Sequence, residues 1–252
     1  MKQVIESAIK KYGSLVDSKS VSLNDEFPID VEATIMEGIK VPFALRRFEP
    51  IELKRLPMKV KKVKRGVTIE SFKDVVGKDE LRPITMGVKR DGDMMVGTDC
   101  HVLVAYKGVM DMVDDGMVLN LQEYIKTKGL VIRGIDGNYP NWRGVLPDMA
   151  DTGEIDLVAL DSVCDAFKLV KVNTGTDLCA VRIDGVWFDP FKLAKVVGFI
   201  RKAGFDKCGY VVRNNSMIRF SFGDSVALVM GLTYPNEENY NRYEFGKEVS
   251  NG

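Results

Sequence analysis

The spacing of apolar residues changes repeatedly along the chain, and each change of period predicts a change of element. Apolar residues three and four positions apart predict helices over 1–13, Thr68–Val76, Gln122–Lys128, Ala159–Lys171 and Phe191–Ala203. Alternating or short continuous apolar runs predict strands over Ile84–Lys89, Met94–Tyr106, Val118–Leu121, Leu130–Arg133, Glu154–Val158, Leu178–Asp184, Val186–Phe188, Gly209–Arg213, Met217–Phe222 and Ser225–Leu232. Two-residue turns, such as the one at Asp91 and Gly92, join neighbouring strands as hairpins.

The order of these elements indicates an internal repeat. A helix, a group of strands, a second helix and further strands occur twice, with hairpins in place of parallel crossovers. We therefore predict the α+β class, with tandem domains that each pack two helices on an antiparallel sheet. The predicted divisions are an unassigned N-terminal segment that is a candidate to complete the first domain (1–65), a first domain (66–147), a second domain (148–235) and a tail (236–252).

Composition and charge narrow the class of protein. The chain of 252 residues is 45% hydrophobic and 29% charged with a formal net charge of zero, as in soluble globular proteins. No apolar run approaches the length of a membrane span, about 18 residues, and the N-terminus lacks the apolar core of a signal peptide. Four widely spaced cysteines and a single histidine argue against a zinc site and a disulfide framework. We therefore expect a cytoplasmic protein without membrane contact, metal or cofactor.

One segment departs from the even balance of charge. Leu45–Gly66 carries nine basic residues against two acidic ones, whereas Asp111–Asp115 and the residues beyond Pro235 lean acidic. A basic run interleaved with Val60 and Val63 is typical of an edge strand whose lysines face solvent. The same run is compatible with phosphate contacts, so both interpretations stay open.

The segment Ile135–Pro147, IDGNYPNWRGVLP, contains more than a turn requires. Its Asp-Gly-Asn start tolerates positive φ, and its two prolines keep the chain extended. Those features do not explain two aromatic residues, Tyr139 and Trp142, on either side of a proline and beside Arg143. The run closely resembles the segment that leaves the middle domain of bacterial DNA sliding clamps, the β subunits of DNA polymerase III.

Three further blocks resemble the same family, in the family's order. They are DELRPITMGV (Asp79–Val88), GTDCHVLV (Gly97–Val104) and the helix with three closing strands over Asp189–Leu232. In the second block Cys100 and Val102 stand where the family has Gly and Arg. Across residues 66–235 the chain resembles a compact, divergent sliding clamp, of the kind expected in a phage or mobile element.

The resemblance implies a function without bond chemistry. Sliding clamps encircle duplex DNA, contact its phosphates without reading the sequence, and tether the polymerase, so that a dissociating encounter becomes intramolecular. The resemblance implies tandem DNA-clamp-like domains. Because clamp rings contain six such domains, a chain with two is expected to form a trimer, which we favour over the dimer that three domains would give. The implied partners are duplex DNA and peptides of a DNA polymerase and a clamp loader.

Two sets of site residues follow from the resemblance. A hydrophobic pocket for partner peptides is implied at Thr98, His101, Leu103, Pro140, Val145, Leu228, Met230 and Leu232. Cations in or beside the helices are expected to face DNA, at Lys73, Lys78, Lys126, Lys128, Lys168, Lys171, Lys192, Lys195, Arg201 and Lys202. The simpler interpretations are packing between the domains for the first set and a solvated surface for the second.

Other functions stay open at this point. Only one predicted strand follows Gly129 before the connecting segment, and residues 1–65 match nothing in the family. Both departures favour a clamp-fold adaptor or competitor that binds clamp-binding peptides without forming a ring. The basic segment at 45–65 favours a DNA-binding structural protein instead. An enzyme with Cys100 as nucleophile and His101 as base is not expected, because adjacent residues of a strand face opposite sides.

Overall fold

The computed structural model describes residues 65–108, 110–147, 150–175, 178–213, 216–233 and 241–246, all within one compact unit, Pro50–Gly252. The predicted helix over residues 1–13 and the basic segment up to residue 64 lie outside the described residues. Helices and largely antiparallel sheet make up the described part, which confirms the predicted α+β class. Among the described helices, none combines the length and the apolar character that a membrane span needs.

The described strands form one large sheet and one small sheet. In chain order they are β1 (Gly87–Asp91), β2 (Met94–Thr98), β3 (Val102–Lys107), β4 (Val118–Asn120), β5 (Gly153–Asp156), β6 (Cys179–Ile183), β7 (Val186–Phe188), β8 (Lys207–Arg213), β9 (Met217–Phe222), β10 (Ser225–Met230) and β11 (Asn241–Glu244). The eight-stranded sheet has the order β4-β1-β2-β3-β10-β9-β8-β5, and its central pair, β3 and β10, is antiparallel. One sheet therefore runs through both predicted domains, and the division between 66–147 and 148–235 stays a prediction.

Alternation along the strands gives the large sheet two apolar faces. Val102 and Val104 of β3 pack into the main core with the helices, whereas Leu103 and Ala105 belong to a smaller cluster on the opposite face. Residues 135–147, which we name the connector, contribute side chains to that smaller cluster. We therefore call the two sides of the sheet the helix face and the connector face.

Three α-helices are described, and each begins at a side-chain cap. They are α1 (Leu121–Lys126), α2 (Leu157–Thr174) and α3 (Pro190–Lys202). The caps are Asn120, Asp156 and Asp189, whose side chains accept hydrogen bonds from N–H groups of the first turn. Pro190 occupies the first turn of α3, where its missing N–H leaves no helix hydrogen bond unmade. Helices α2 and α3 pack on each other, and α3 lies against β3 and β10.

The small sheet has the order β11-β6-β7, with β11 joined to β6 in parallel. The Arg182 guanidinium donates to Glu244 at 2.9 Å, and the N–H of Phe245 donates to the C=O of Arg182 at 2.8 Å. The hydrophobic pattern did not predict β11, because the sequence NRYE has no apolar alternation. The segment treated as a tail thus contributes a strand.

Two strand predictions are wrong in part. The predicted strand Met94–Tyr106 is broken by a turn at residues 99–101, where the Asp99 side chain accepts the N–H groups of His101 and Val102. Leu130–Arg133 forms no strand, and the chain after α1 meets β4 only near an isolated bridge to Gly134. The predicted strand Met94–Tyr106 is interrupted because the Asp99 side chain hydrogen-bonds to the local backbone, which therefore does not pair with a neighbouring strand there.

The start of the first predicted domain also differs from the prediction. The predicted helix Thr68–Val76 is a 3₁₀ helix over Ile69–Asp74, and a second 3₁₀ helix, Pro83–Met86, replaces the start of the predicted strand Ile84–Lys89. Pro83 favours the first position of such a helix because it has no N–H to pair.

Candidate partner-binding face and helix surface

A row of paired residues crosses the connector face. Thr98 of β2 is the partner of Leu103 of β3, and Leu103 is the partner of Leu228 of β10. Residues two apart on a strand share a face, so Met230 lies beside Leu228 on the same side. Leu103 and Leu228 are buried in the connector-face cluster, whereas Met230 is 41% exposed. Buried leucines that end at an exposed, flexible methionine provide a surface that can accept an apolar side chain of a partner.

The connector packs on the same cluster. Trp142 is buried with Leu103 and Leu228, and Tyr139 and Leu146 pack against it. The Tyr139 hydroxyl donates to the C=O of Val96 at 3.0 Å, and burial raises the pKa of this phenol. The connector is therefore part of the packed structure on this face.

Asp91 of β1 holds the connector in place. The Trp142 Nε1–H donates to Asp91 Oδ2 at 2.6 Å, and the Arg143 guanidinium pairs with the same carboxylate. Arg143 also lies over the Trp142 ring, 4.4 Å from its centroid. Burial alone would raise the pKa of Asp91, but the Trp142 hydrogen bond and the charges of Arg143 and Lys89 lower it below its usual value. Trp142 and Arg143 are adjacent in the connector because both bind the ionised carboxylate of Asp91.

The structure brings five of the eight predicted pocket residues together. Thr98, Leu103, Leu228 and Met230 share the connector face, and Thr98 is buried. His101 joins them through its backbone, because its C=O accepts the N–H of Met230 at 2.8 Å. The His101 side chain is exposed.

The other three predicted residues lie at the margin of this face. Pro140 and Val145 are exposed on the connector, next in sequence to Tyr139 and Leu146 of the cluster. Leu232 follows the end of β10, and its N–H donates to the C=O of Trp187 in β7 at 2.7 Å. Peptide binding by these eight residues stays a prediction.

Sequence reasoning missed two residues of this face, Met217 and Arg219 of β9. Met217 is part of the buried cluster, and Arg219 is the strand partner of Leu228. Arg219 donates to the C=O of Pro147 at 2.7 Å and to Asp151 at 2.9 Å. The alternation of β9 was visible in the sequence, but only the register with β10 places these residues beside Leu228.

The predicted DNA-facing cations fall into three groups by exposure. Lys73, Lys78, Lys126, Lys128, Lys168 and Lys171 are exposed, Lys192, Lys195 and Lys202 are half-buried, and Arg201 is buried. Lys168 pairs with Asp165 at 2.9 Å, and the Lys171 ammonium lies 5.0 Å from the Phe191 ring centroid. The exposed group can reach a phosphate without rearrangement of the fold.

Arg201 is wrong as a DNA-facing residue. Its side chain is only 5% exposed and pairs with Asp161 of α2, so it links the two packed helices. A buried and paired guanidinium cannot contact a phosphate backbone. The helical period contained the signal: Arg201 follows Val197 by four positions and Leu193 by eight, which puts it on the apolar stripe of α3.

Lys192 and Lys195 are bound to one carboxylate. Their ammonium groups lie 2.9 and 2.8 Å from Asp99 Oδ2. Asp99 Oδ1 accepts the N–H groups of His101 at 2.9 Å and of Val102 at 2.8 Å. Burial alone would raise the pKa of Asp99, but the hydrogen bonds from the two lysines and the two N–H groups lower it to about 2. We call Asp99 with Lys192 and Lys195 the lysine clasp.

The strand argument against Cys100 and His101 as nucleophile and base does not hold. Both residues lie in the turn between β2 and β3, so alternation along a strand does not apply to them. Cys100 is exposed and has a φ of 70°, the left-handed region, where the resembling clamp motif has glycine.

The fold of this chain, a large sheet with helices on one face and the connector on the other, is similar to that of solved DNA polymerase beta subunits. The beta subunit from DNA polymerase of Streptococcus pyogenes is similar to this chain, with a TM-score of 0.51 and 13% identity over 73% of this chain and 70% of that chain. This likeness confirms the predicted resemblance at the level of the fold.

Further solved structures of the same kind are similar at lower scores. The DNA polymerase III subunit beta from Borrelia burgdorferi has a TM-score of 0.47 and 11% identity, over 70% of this chain and 65% of that chain. The DNA polymerase sliding clamp from Pseudomonas aeruginosa has a TM-score of 0.45 and 14% identity, over 66% of this chain and 64% of that chain. This chain thus covers less than two thirds of each of these two structures. No protein-family model and no curated protein matches the sequence.

Proposed function

We propose that this protein is a sliding clamp or clamp-like processivity factor that encircles duplex DNA and tethers a polymerase through the connector face. The observation that carries the proposal is the row Thr98–Leu103–Leu228 that leads to the exposed Met230. The sliding-clamp fold supports it. In this proposal the protein acts by binding alone, and it takes peptides of the polymerase and the clamp loader at the eight pocket residues.

The helix side of the molecule is the proposed DNA side. Six exposed lysines lie in or beside the helices of this side, namely Lys73, Lys78, Lys126, Lys128, Lys168 and Lys171. Lysine is a compact charge on a flexible stem, so it suits phosphate contacts that must break and re-form as a ring slides. A homo-oligomer, a trimer in preference to a dimer, would place these lysines around a duplex.

Solution mass and DNA topology test the ring. We expect a discrete oligomer by light scattering over a concentration series, and retention on nicked circular DNA that is lost when the same DNA is linearised. A protein that stays monomeric at high concentration, or that leaves circular and linear DNA equally fast, would contradict the ring.

A lysine substitution tests the peptide site. Met230→Lys puts a charge into the proposed apolar contact and should weaken a fluorescent clamp-binding peptide by about tenfold or more in anisotropy titrations. Met112→Lys is the matched control, because Met112 is a comparably exposed methionine away from this face, at 45%. Equal affinities for the two variants would rule out Met230 as a contact.

One observation favours a second candidate, the clamp-fold adaptor that binds the same peptides without a ring. Among the predicted DNA-facing cations, Lys168, Lys192, Lys195 and Arg201 pair with carboxylates of the described residues. The helix side is therefore less cationic than its lysine count indicates. The adaptor predicts a monomer that keeps the Met230-dependent peptide binding. The basic segment at 45–65 lies outside the described residues except for Arg65, which pairs with Asp206 at 2.8 Å.

A further inference from the structure

We propose that the lysine clasp couples the DNA side to the pocket side: duplex DNA phosphates compete with Asp99 for Lys192 and Lys195, and this loosens the turn beside the pocket. The inference rests on the proposed function in one respect, that the helix surface meets duplex DNA. It adds a route by which DNA binding changes the partner site.

A single carboxylate joins the two sides. Asp99 Oδ2 accepts from both lysines of α3, and Asp99 Oδ1 accepts from the N–H groups of His101 and Val102. The turn then connects to the pocket, because the C=O of His101 accepts the N–H of Met230 at 2.8 Å. Direct hydrogen bonds thus run without a gap from the first turns of α3 to β10.

The geometry leaves the lysines open to competition. The side chains of Lys192 and Lys195 are 27% and 30% exposed, whereas that of Asp99 is 9% exposed. An arriving phosphate can reach the ammonium groups while Asp99 stays in place. Charge-assisted hydrogen bonds to phosphate are comparable in strength to those with a carboxylate, and DNA presents many phosphates at once.

The turn carries backbone strain that its opening would relieve. Cys100 is held at a φ of 70°, which is costly for a residue with a Cβ. The N–H of Cys100 donates to Thr98 Oγ1 at 3.0 Å, and Thr98 Oγ1 donates to the C=O of Val102 at 2.7 Å. When the lysines leave Asp99, its buried charge keeps only backbone partners, so it moves toward water and the strained turn opens.

Amide hydrogen exchange measured by NMR tests the coupling directly. A short blunt-ended DNA duplex at saturating concentration and low salt should speed exchange of the His101 and Val102 amides by about fivefold or more, the lower end of typical coupling between sites. Binding of the same duplex is followed separately by fluorescence anisotropy. The imidazole resonance of His101, the only histidine in the chain, gives a second readout of the turn.

Paired variants separate competition from general loss of charge. Lys192→Gln with Lys195→Gln should exchange fast at His101 and Val102 without DNA, and DNA should add nothing. Lys126→Gln with Lys128→Gln removes the same charge from exposed lysines of the proposed DNA side. It should weaken DNA binding and keep the DNA-dependent rise in exchange.

Asp99→Asn gives the opposite sign on DNA binding. It frees two lysines, so DNA should bind more tightly while the turn exchanges fast and ignores DNA. Asp165→Asn is the charge-matched control, because Asp165 pairs with Lys168 on α2. It should keep the DNA response at His101. Should Asp99→Asn fail to fold, the single change Lys195→Gln takes its place, with a smaller DNA response than the parent chain.

The outcomes distinguish this inference from the proposed function. Duplex DNA that binds and leaves exchange at His101 and Val102 unchanged overturns the coupling and leaves the clamp function intact. A DNA response that survives in the Lys192 and Lys195 double variant also overturns it. Absence of duplex binding at low salt overturns the coupling alone, because the proposed clamp function is judged by retention on circular DNA.

Discussion

The two faces of the eight-stranded sheet are both apolar, but they are covered in different ways. The helix face is closed by long helices, with aromatic contacts such as Phe72 on Phe199, whose ring centroids are 4.8 Å apart. The connector face has a much smaller cluster, closed by the connector, which contains a short 3₁₀ helix at Arg143–Val145 and is attached to the sheet by a few side chains. Cations also differ between the sides: Arg201 is buried between helices, whereas Arg143 lies exposed over Trp142. Stability therefore resides mainly on the helix face, and the connector face leaves Met230 exposed beside its buried cluster.

Removal of Arg201 should have the largest effect. Arg201→Ala leaves Asp161 as a half-buried charge without its guanidinium, and we expect a loss of about 3–5 kcal/mol in the free energy of unfolding. Urea unfolding followed by circular dichroism measures it. Lys202→Ala, the neighbouring residue, should cost about 0.5 kcal/mol or less. A similar small loss for Arg201→Ala would show that the helix face does not depend on this pair.

Trp142→Ala should come next, with a loss of about 3 kcal/mol, because it removes a buried ring from the connector-face cluster and leaves Asp91 paired with Arg143 but without the indole N–H. The control Tyr139→Phe removes one hydrogen bond and keeps the ring, so it should cost about 1 kcal/mol. Urea unfolding again gives both values. If Trp142→Ala costs no more than Tyr139→Phe, the connector is held by single hydrogen bonds and not by packing.

The lysine clasp gives a pH-dependent contribution. The pKa of Asp99 is lowered from 3.8 to about 2 in the folded protein, so its stabilisation is present above pH 3.8 and is lost as the pH falls toward 2. We expect Asp99→Asn to cost about 2 kcal/mol near neutral pH. Urea unfolding of both proteins across this range should show the difference shrinking below pH 3.8. A difference that stays constant down to pH 2 would mean that Asp99 acts through hydrogen bonds alone.

Cys100→Gly should give the smallest change, a gain of about 0.5 kcal/mol. Glycine removes the cost of a φ of 70°, and its greater freedom in the unfolded chain offsets part of that gain. Cys100→Ser retains the strained conformation and should bring no gain in thermal unfolding. Equal melting temperatures for the two variants would show that the turn is not strained at Cys100.

The apolar pattern predicted most of the elements, and each error has a physical cause. The helices that became α2 and α3 and the hairpin strands β8–β10 were predicted closely, because their apolar periods are long. The break between β2 and β3 was missed because the apolar residues on both sides of it predict one continuous strand. In the structure the Asp99 side chain accepts backbone N–H groups and forms a turn there. Strand β11 was missed because parallel pairing to β6 depends on a distant partner.

The candidate site also has residues that the sequence predicted and residues that only the structure places there. The motif residues of the connector and of the β2–β3 turn were visible in the sequence, and the structure brings five of the eight predicted pocket residues together. Arg219 and Met217 were not visible, because only strand register places β9 beside Leu228. The prediction that Lys192 and Lys195 face DNA missed their shared partner, because Asp99 is more than ninety residues away in the chain.

By itself the sequence determined the α+β class, the approximate positions of α2 and α3 and the resemblance to a clamp, since these depend on local periods and short motifs. Tertiary structure decided which charges are available. Burial and a partner from a distant segment turned Arg201 into a link between helices and put Lys192 and Lys195 in the lysine clasp. A residue that the sequence pattern predicts to be a solvated cation can be paired in the folded protein. Its surroundings there have a low dielectric constant, which makes an unpaired ion far more costly than a paired one.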